Sequence, residues 1–495
     1  MEKPHDLYII FTMYLGIDLG TSSMKCLLIG EEQELIKSVS SEEIPLTNLH
    51  SGWSEQDPRQ WIKALDQCLL KLKADINLNK IKSISFSGHM HGATCIDKNN
   101  EVLRPCMMWN DTRSHQACKE IMSDSSVLDI SGNIAMAGFT APKVLWLKHN
   151  EQQIFDQIHK VLLPKDYLRL YLTGEYFSDL SDASGTYWLD VGNRKWSSVL
   201  LEASSMRLDQ MPALCEGTEQ TGILKKEIAE KYGFDTSCKV YGGAGDNAAA
   251  AVGLGLYEEG DASLSLGTSG VIFGSTKSFL KNYDDAIHSF CHCLPNTWHL
   301  MSVMLSCTSN INWFINTFDS SINEITEKLS KVLSSKEEIN NAPYFLPYLT
   351  GERTPINDPH ARASFHQMGI DSDRTSLIYA LIEGISFGLN DNYQALSKTG
   401  IKLENIYAIG GGSKNDSWLK LLASILNRNL SLTDASEAMA AYGAARIAYM
   451  GFNNLKPKES LSAPKVVKTI EKDPKLYDLL NERFQNWKKF YIKEE

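Results

Sequence analysis

Apolar and polar positions near the start of the chain follow a pattern that predicts a β-hairpin. Tyr14-Leu15-Gly16-Ile17-Asp18-Leu19 is a short apolar run, Gly20-Thr21-Ser22-Ser23 interrupts it, and Met24 to Ile29 resumes it. The same pattern returns as Ala262 to Leu266, the turn Gly267-Thr268-Ser269-Gly270, and Val271-Ile272-Phe273. Leu-Gly-Thr-Ser recurs 247 residues apart, about half the chain, with matching strand context on both sides; this predicts two related halves with a boundary near residue 255. Between the hairpins, helical periodicity from Pro58 to Leu72 is followed by an apolar strand, Ile81 to Phe86, so the class is α/β. The second half closes with strand Ile406 to Ile409, a glycine turn, helix Ser417 to Leu426, strand Leu430 to Thr433, and an alanine-rich helix from Glu437 to Met450. Ala438, Ala441, Ala445 and Ala448 share one face of that helix, which suits close packing on a neighbour. In the tail, Asp473-Pro474 reads as an N-cap and first-turn proline. Leu476, Leu480, Phe484, Trp487 and Tyr491 then recur at steps of three or four, an amphipathic helix expected to dock on the second half.

Composition narrows the class. A chain of 495 residues is long enough for two or three compact units, and 43% hydrophobic with 22% charged residues is ordinary globular usage. The net charge of −11 argues against broad binding to nucleic acid or an anionic membrane. The apolar stretch Leu7 to Ile17 is too short to span a bilayer and reads as a run-in to the first strand, with Met13 as an alternative start. Ten cysteines without a Cys-x-x-Cys pair point to a reducing, cytoplasmic setting. Cys291-His292-Cys293 has no second ligand pair at metal-site spacing and reads as buried small side chains.

Several polar residues interrupt apolar elements where chemistry would need them. Asp18 lies in an apolar strand just before a turn rich in hydroxyls and backbone amides, a place for phosphate oxygens and a magnesium ion or its waters, with Lys25 as a nearby positive charge. The second turn, Gly267 to Gly270, repeats that phosphate-cradling pattern, and two such hairpins suit a nucleotide-dependent reaction. No Gly-x-x-x-x-Gly-Lys-Ser/Thr loop is present. Gly242-Gly243-Ala244-Gly245 feeds a helix with Asp246 at or near its start. Asp246 reads either as an N-cap or as an exposed general base for a hydroxyl nucleophile. Strand Ile81 to Phe86 runs into Ser87-Gly88-His89-Met90-His91-Gly92, where His91 would hydrogen-bond a polyol hydroxyl and Met90 pack on its carbon face; a metal at His89-x-His91 lacks a third ligand. Gly410-Gly411-Gly412-Ser413, between a strand and a helix, leaves room for a base and ribose.

These residues, with Trp53-Ser54-Glu55-Gln56-Asp57-Pro58, Trp109-Asn110-Asp111, Gly138-Phe139-Thr140-Ala141-Pro142-Lys143, Leu163 to Leu170, Phe345 to Tyr348 and Gly351-Glu352-Arg353-Thr354-Pro355, resemble the FGGY carbohydrate kinases, the glycerol-kinase and gluconate-kinase group. The resemblance runs from about Met13 to about Met450. It implies two ribonuclease H-like domains of the actin/hexokinase type with a cleft between them: residues 13–255 for the sugar and first phosphate turn, 256–452 for the nucleotide, and 453–495 as a helical extension. It further implies that Asp246 accepts the sugar proton and Asp18 acts near Mg²⁺, through water. Met90, His91 and Asn247 would join Asp246 in contacting the sugar. Gly20, Thr21, Ser22, Lys25, Gly267, Thr268, Gly411, Gly412 and Asn415 would serve ATP and its phosphates. The expected reaction is phosphorylation of D-xylulose by ATP to D-xylulose 5-phosphate. Ribulose or sedoheptulose is the alternative substrate, and an actin- or chaperone-like ATPase a remote alternative. The partners are the small sugar and ATP, with no nucleic acid and no membrane; a homodimer is compatible with the chain. His89 departs from the family's usual Gln and Ala244 from its usual Gly.

Overall fold

A computed structural model describes residues 12–434 and 438–492. Two compact units result. The first comprises the chain up to Tyr257, Phe290–Thr297 and Ala438–Ala463; the second comprises Glu258–Ser289 and the stretches that follow Thr297 and Ala463. Leu7 to Phe11, the start of the run-in, and Glu437, the expected first residue of the alanine-rich helix, lie outside the described residues.

In the first unit, β1 (Met13–Leu19), β2 (Met24–Ile29), β3 (Leu35–Ser40), β4 (Ile81–Gly88), β5 (Gln220–Ile223) and β6 (Lys239–Tyr241) form one sheet in the order β5-β6-β4-β1-β2-β3. The expected hairpin is present: β1 and β2 pair antiparallel with Asp18 opposite Lys25, and β3 continues antiparallel to β2. β4 runs parallel to β1 and places Ser87 opposite Asp18. It extends two residues past Phe86, so His89 follows it directly. Both faces of β1 are buried, Leu15 and Ile17 completely, so it reads as a continuous apolar run rather than an alternating one. The helices used below are α1 (Pro58–Asp75), α2 (Thr140–Asn150), α3 (Pro164–Thr173), α4 (Leu180–Ser184) and α5 (Asp246–Leu254). The alanine-rich helix spans Met439–Asn453 and belongs to this unit; Ala441, Ala445 and Ala448 pack with Tyr14, Leu27 and Ile29. Small residues are obligatory at this contact, because a Cβ on Gly16 would sit 2.0 Å from the Ala441 carbonyl oxygen and one on Gly443 1.8 Å from that of Ala249.

The second unit repeats the plan. β7 (Asp261–Leu266) and β8 (Gly270–Thr276) form the second hairpin, β9 (Trp298–Met304) continues antiparallel, and β10 (Asn405–Ile409) and β11 (Leu430–Thr433) follow in parallel on the other side of β7. The order β9-β8-β7-β10-β11 matches β3-β2-β1-β4-β6 in both neighbour and direction, with β12 (Val466–Ile470) added antiparallel at the edge. The molecule is thus a two-domain, actin/hexokinase-type α/β fold. Helices α6 (Thr308–Phe318), α7 (Ile322–Val332), α8 (Arg374–Ser397) and α9 (Asp416–Leu426) build the core of the second unit with α10 (Pro474–Trp487). Asp473 caps α10 by accepting from the Lys475 amide. Leu476, Leu480, Phe484 and Trp487 are buried on the second unit, while Tyr491 lies beyond the helix end. The Arg483 guanidinium, deeply buried, pairs with Glu383 of α8 at 2.6 Å. Cys291, His292 and Cys293 are all buried, and among the described residues no group of three His, Cys, Asp or Glu side chains could hold a metal ion. No described helix is long and apolar enough to cross a membrane.

Candidate active site

Asp18 and Asp246 come together in the first unit. Asp18 is the penultimate residue of β1, and burial pushes its carboxyl above the usual carboxylate range, while Ser87 and then Lys25 pull it down. Asp246 is the first residue of α5, after Gly245 as N-cap, and is half-buried. Neither expectation for this residue survives intact: it is not the cap, and its carboxylate is not exposed. Gly243 adopts φ +77°, and its Cβ would lie 2.4 Å from the Phe86 carbonyl oxygen, so the glycines of the loop lay it directly against β4. Burial raises the Asp246 carboxyl to about 7, the negative charge of Asp18 adds to the rise, and hydrogen bonds from Asn247 oppose it. Asn247 supplies both its backbone amide, at 2.7 Å, and its side-chain amide, at 2.9 Å, to Asp246 Oδ1. Desolvation with a like charge nearby turns an ordinary carboxylate into a base matched to neutral pH.

Met90 and His91 lie beside this pair. A Cβ on Gly245 would fall 2.9 Å from the Met90 sulfur, so the methionine rests on the loop that leads into Asp246. His91 holds φ +71°, a backbone shape uncommon for a side-chain-bearing residue and maintained by its neighbours. Its carbonyl accepts from Lys143 Nζ at 2.9 Å and Thr140 Oγ1 at 3.1 Å, both on α2, and its ring lies 4.8 Å from that of Phe139. His91 Nδ1 lies 2.7 Å from the Gly185 carbonyl oxygen; a carbonyl only accepts, so Nδ1 carries a proton. Lys143 closes the motif Gly138 to Lys143. It is fully buried, bonds a second carbonyl, Gly138, at 2.7 Å, and is pushed down to about 7 by burial. His89 turns the other way, stacking edge-on at 5.7 Å against Trp61 of α1; among the described residues neither ring nitrogen has a hydrogen-bond partner, and burial pushes it down to about 3.

The first turn is braced by residues the sequence pattern did not single out for this role. Gln56 Nε2 donates to the Thr21 carbonyl at 2.7 Å, Trp61 Nε1 donates to Gln56 at 2.9 Å, and Trp109 Nε1 donates to Thr21 Oγ1 at 3.1 Å. Gly20 closes the turn by donating to the Ser23 carbonyl at 3.1 Å, and Ser22 is exposed at its tip.

In the second unit the turn Gly267 to Gly270 is pinned through its carbonyls. Thr308 donates to Gly267, and Cys307 and Ser309 donate to Thr268, all from the start of α6. Thr308 also borders a cavity of about 610 Å³ lined by Gly411, Gly412, Asn415, Trp418, Asn312 and Thr326. That volume suits a nucleoside. The glycines differ in role: a Cβ on Gly411 would meet open space, whereas one on Gly412 would lie 2.5 Å from the Trp418 ring, so Gly412 is there for packing. Asn415 caps α9 through the Trp418 amide and donates to Thr326 Oγ1 at 2.9 Å, so its side chain shapes the cavity wall.

Two repeated actin-type units, one with a carboxylate pair beside a Met-His loop and one with a nucleoside-sized cavity, are the parts of a small-molecule kinase. The chain belongs to the FGGY family of carbohydrate kinases, whose N-terminal domain matches residues 13–253 and whose C-terminal domain matches 262–452. It is 44% identical to the xylulose kinase of Escherichia coli K12, over 91% of each chain. It is 42% identical to that of Klebsiella pneumoniae, over 91% of this chain and 92% of the other. The crystal structure of a "xyloylose kinase" from Brucella ovis superposes with a TM-score of 0.93 at 43% identity, covering 97% of this chain and 98% of that one.

Proposed function

We propose that this enzyme transfers the γ-phosphoryl group of ATP to the terminal hydroxyl of D-xylulose, giving D-xylulose 5-phosphate and ADP. The observation that carries the mechanism is the Asp246 carboxyl, raised to about 7 beside Asp18 and the Met90–His91 loop. His91 and Asn247 orient the sugar, Met90 covers its carbon face, and Asp246 accepts the hydroxyl proton as the new P–O bond forms. Phosphoryl transfer passes through a loose transition state, so positioning and charge neutralisation outweigh base strength, and proton acceptance is late. The nucleoside occupies the cavity at Gly411, Gly412 and Asn415, and the turns at Gly20–Ser22 and Gly267–Thr268 take phosphate oxygens with Lys25.

Asp18 fits a magnesium ion held through water. It is an oxygen donor whose charged form is disfavoured by burial, and a cation would relieve that penalty. When bound with the nucleotide, Mg²⁺ neutralises phosphate charge. A cytoplasmic setting is supported by ten cysteines that are all free and buried.

The test is ADP release across ketopentoses, ketohexoses and glycerol, with Asp246→Asn alongside. D-xylulose should give the highest kcat/KM and the variant should bind sugar with kcat reduced by about 10³-fold. A higher kcat/KM with ribulose or sedoheptulose reassigns the substrate, sugar-independent ATP hydrolysis favours the ATPase reading, and near-normal turnover in the variant removes Asp246 from the mechanism.

A further inference from the structure

Behind the sugar-facing residues lies a fully buried group of charges: Lys165, Asp166 and Arg169 on α3, and Asp179 and Asp182 at and inside α4. Lys165 Nζ lies 2.6 Å from Asp166, 2.6 Å from Asp179 and 3.1 Å from Asp182, and Arg169 lies 3.2 Å from Asp166. Three carboxyls thus face two cations, and burial pushes the Asp182 carboxyl well above the usual carboxylate range while Lys165 opposes it. Burying so many charges is weak evidence for stability, because well-packed apolar side chains of similar volume often do as well. What this group holds in place is more informative.

Asp179 caps α4, accepting at one oxygen from the amides of Ser181 and Asp182 and from the Ser181 hydroxyl. That hydroxyl in turn accepts from the amide of Gly245, at 3.0 Å, the residue directly before Asp246. Arg169 grips the same loop from its other end, donating to the carbonyls of Tyr241 and Gly242. At the far end of α4 the Gly185 carbonyl accepts from His91 Nδ1, and a Cβ on Gly185 would lie 2.5 Å from the His91 ring. One five-residue helix is therefore bonded at its start to the Asp246 loop and at its end to His91, and is itself clamped on Lys165.

We propose that α4, anchored on the Lys165 cluster, is a positioning element that sets the placement of Asp246 relative to His91, with Ser181 as its contact to the base-bearing loop. This rests on the reading of Asp246 and His91 given above. Ser181 and Gly185 are both buried, and each acts through the residue it holds.

The experiment measures kcat, separate KM values for D-xylulose and ATP, and melting temperature for Ser181→Ala, Ser181→Thr and Gly185→Ala, with Asp246→Asn as control. Ser181→Ala should lower kcat by roughly 10- to 100-fold, the scale of a base displaced by about an ångström, with KM for ATP within about twofold of the parent. Ser181→Thr, which keeps the hydroxyl, should recover most of that loss. Gly185→Ala should mainly raise KM for the sugar, by about tenfold, and serves as the test if Ser181→Ala fails to fold. A lower melting temperature with unchanged kcat and sugar KM in all three would overturn the proposal and leave the cluster a structural one. If Asp246→Asn turns over normally, the functional reading fails first; if it is inactive while Ser181→Ala behaves as the parent, only the positioning role falls.

Discussion

Asp246→Asn should make the protein less active and more stable, and the gain in stability should depend on pH. The Asp246 carboxyl moves from 3.8 to about 7 on folding, chiefly by burial, with Asp18 contributing. Each unit is worth about 1.4 kcal/mol, so the charged folded form is disfavoured by about 4 kcal/mol; water at this half-buried site screens part of that, and about 2 kcal/mol is the expected gain. The sign follows from proton uptake. Between about pH 4 and pH 7 the folded state holds a proton that the unfolded state has lost, so the parent loses stability as pH rises through this window and levels off above about 7. Asparagine carries no such proton. The difference in unfolding midpoint between variant and parent should therefore be near its low-pH baseline at pH 4, widen up to about pH 7 and level off by pH 8, measured by denaturant titration in a series of buffers. In parallel, kcat/KM of the parent for sugar should be about 30-fold lower at pH 5.5 than on its plateau. A stability difference that does not change with pH, or a parent activity flat from pH 5.5 to 8, would refute the assignment of a raised carboxyl at this position.

Lys143→Met removes its bonds to the His91 and Gly138 carbonyls while keeping most of the volume and leaving Thr140 as the side-chain donor to His91; it should raise KM for the sugar about tenfold with KM for ATP unchanged, read by steady-state kinetics. Gly412→Ala, which drives a methyl group into the Trp418 ring at the cavity wall, should raise KM for ATP by about tenfold, read by steady-state kinetics. Arg483→Met strands the Glu383 carboxylate in the core of the second unit and should cost about 3–5 kcal/mol, seen as a lowered denaturant midpoint; Glu383→Gln added to it should recover part of the loss.

The hairpins, the duplication and the tail helix were legible because each is a local signal: an apolar run, a Gly-Thr-Ser turn, a capping Asp followed by Pro. Asp18 and Asp246 were legible for the same reason, since a carboxylate inside an apolar strand or after a glycine run stands out from its neighbours. Ser181 and Lys143 gave no such sign. Their partners lie 64 and 52 residues away in sequence, and a serine in a polar stretch or a lysine at the start of a helix reads as surface until the fold shows both to be buried. Asp246 is less exposed than its glycine-rich flank predicts, because how deeply a loop sits is decided by the strand it lies against, here Phe86 beside Gly243.

The helix Met439–Asn453 has a consequence for how the molecule is made. Its residues complete the first unit by covering Tyr14, Leu27 and Ile29, yet about 180 residues separate Tyr257 from their first member. At ordinary ribosomal speeds that separation lasts roughly 10–40 s, during which the nascent first unit shows an uncovered apolar strip. A chain stopped near residue 257 should keep that strip permanently, so the N-terminal half made alone should aggregate unless the helix is supplied as a separate peptide.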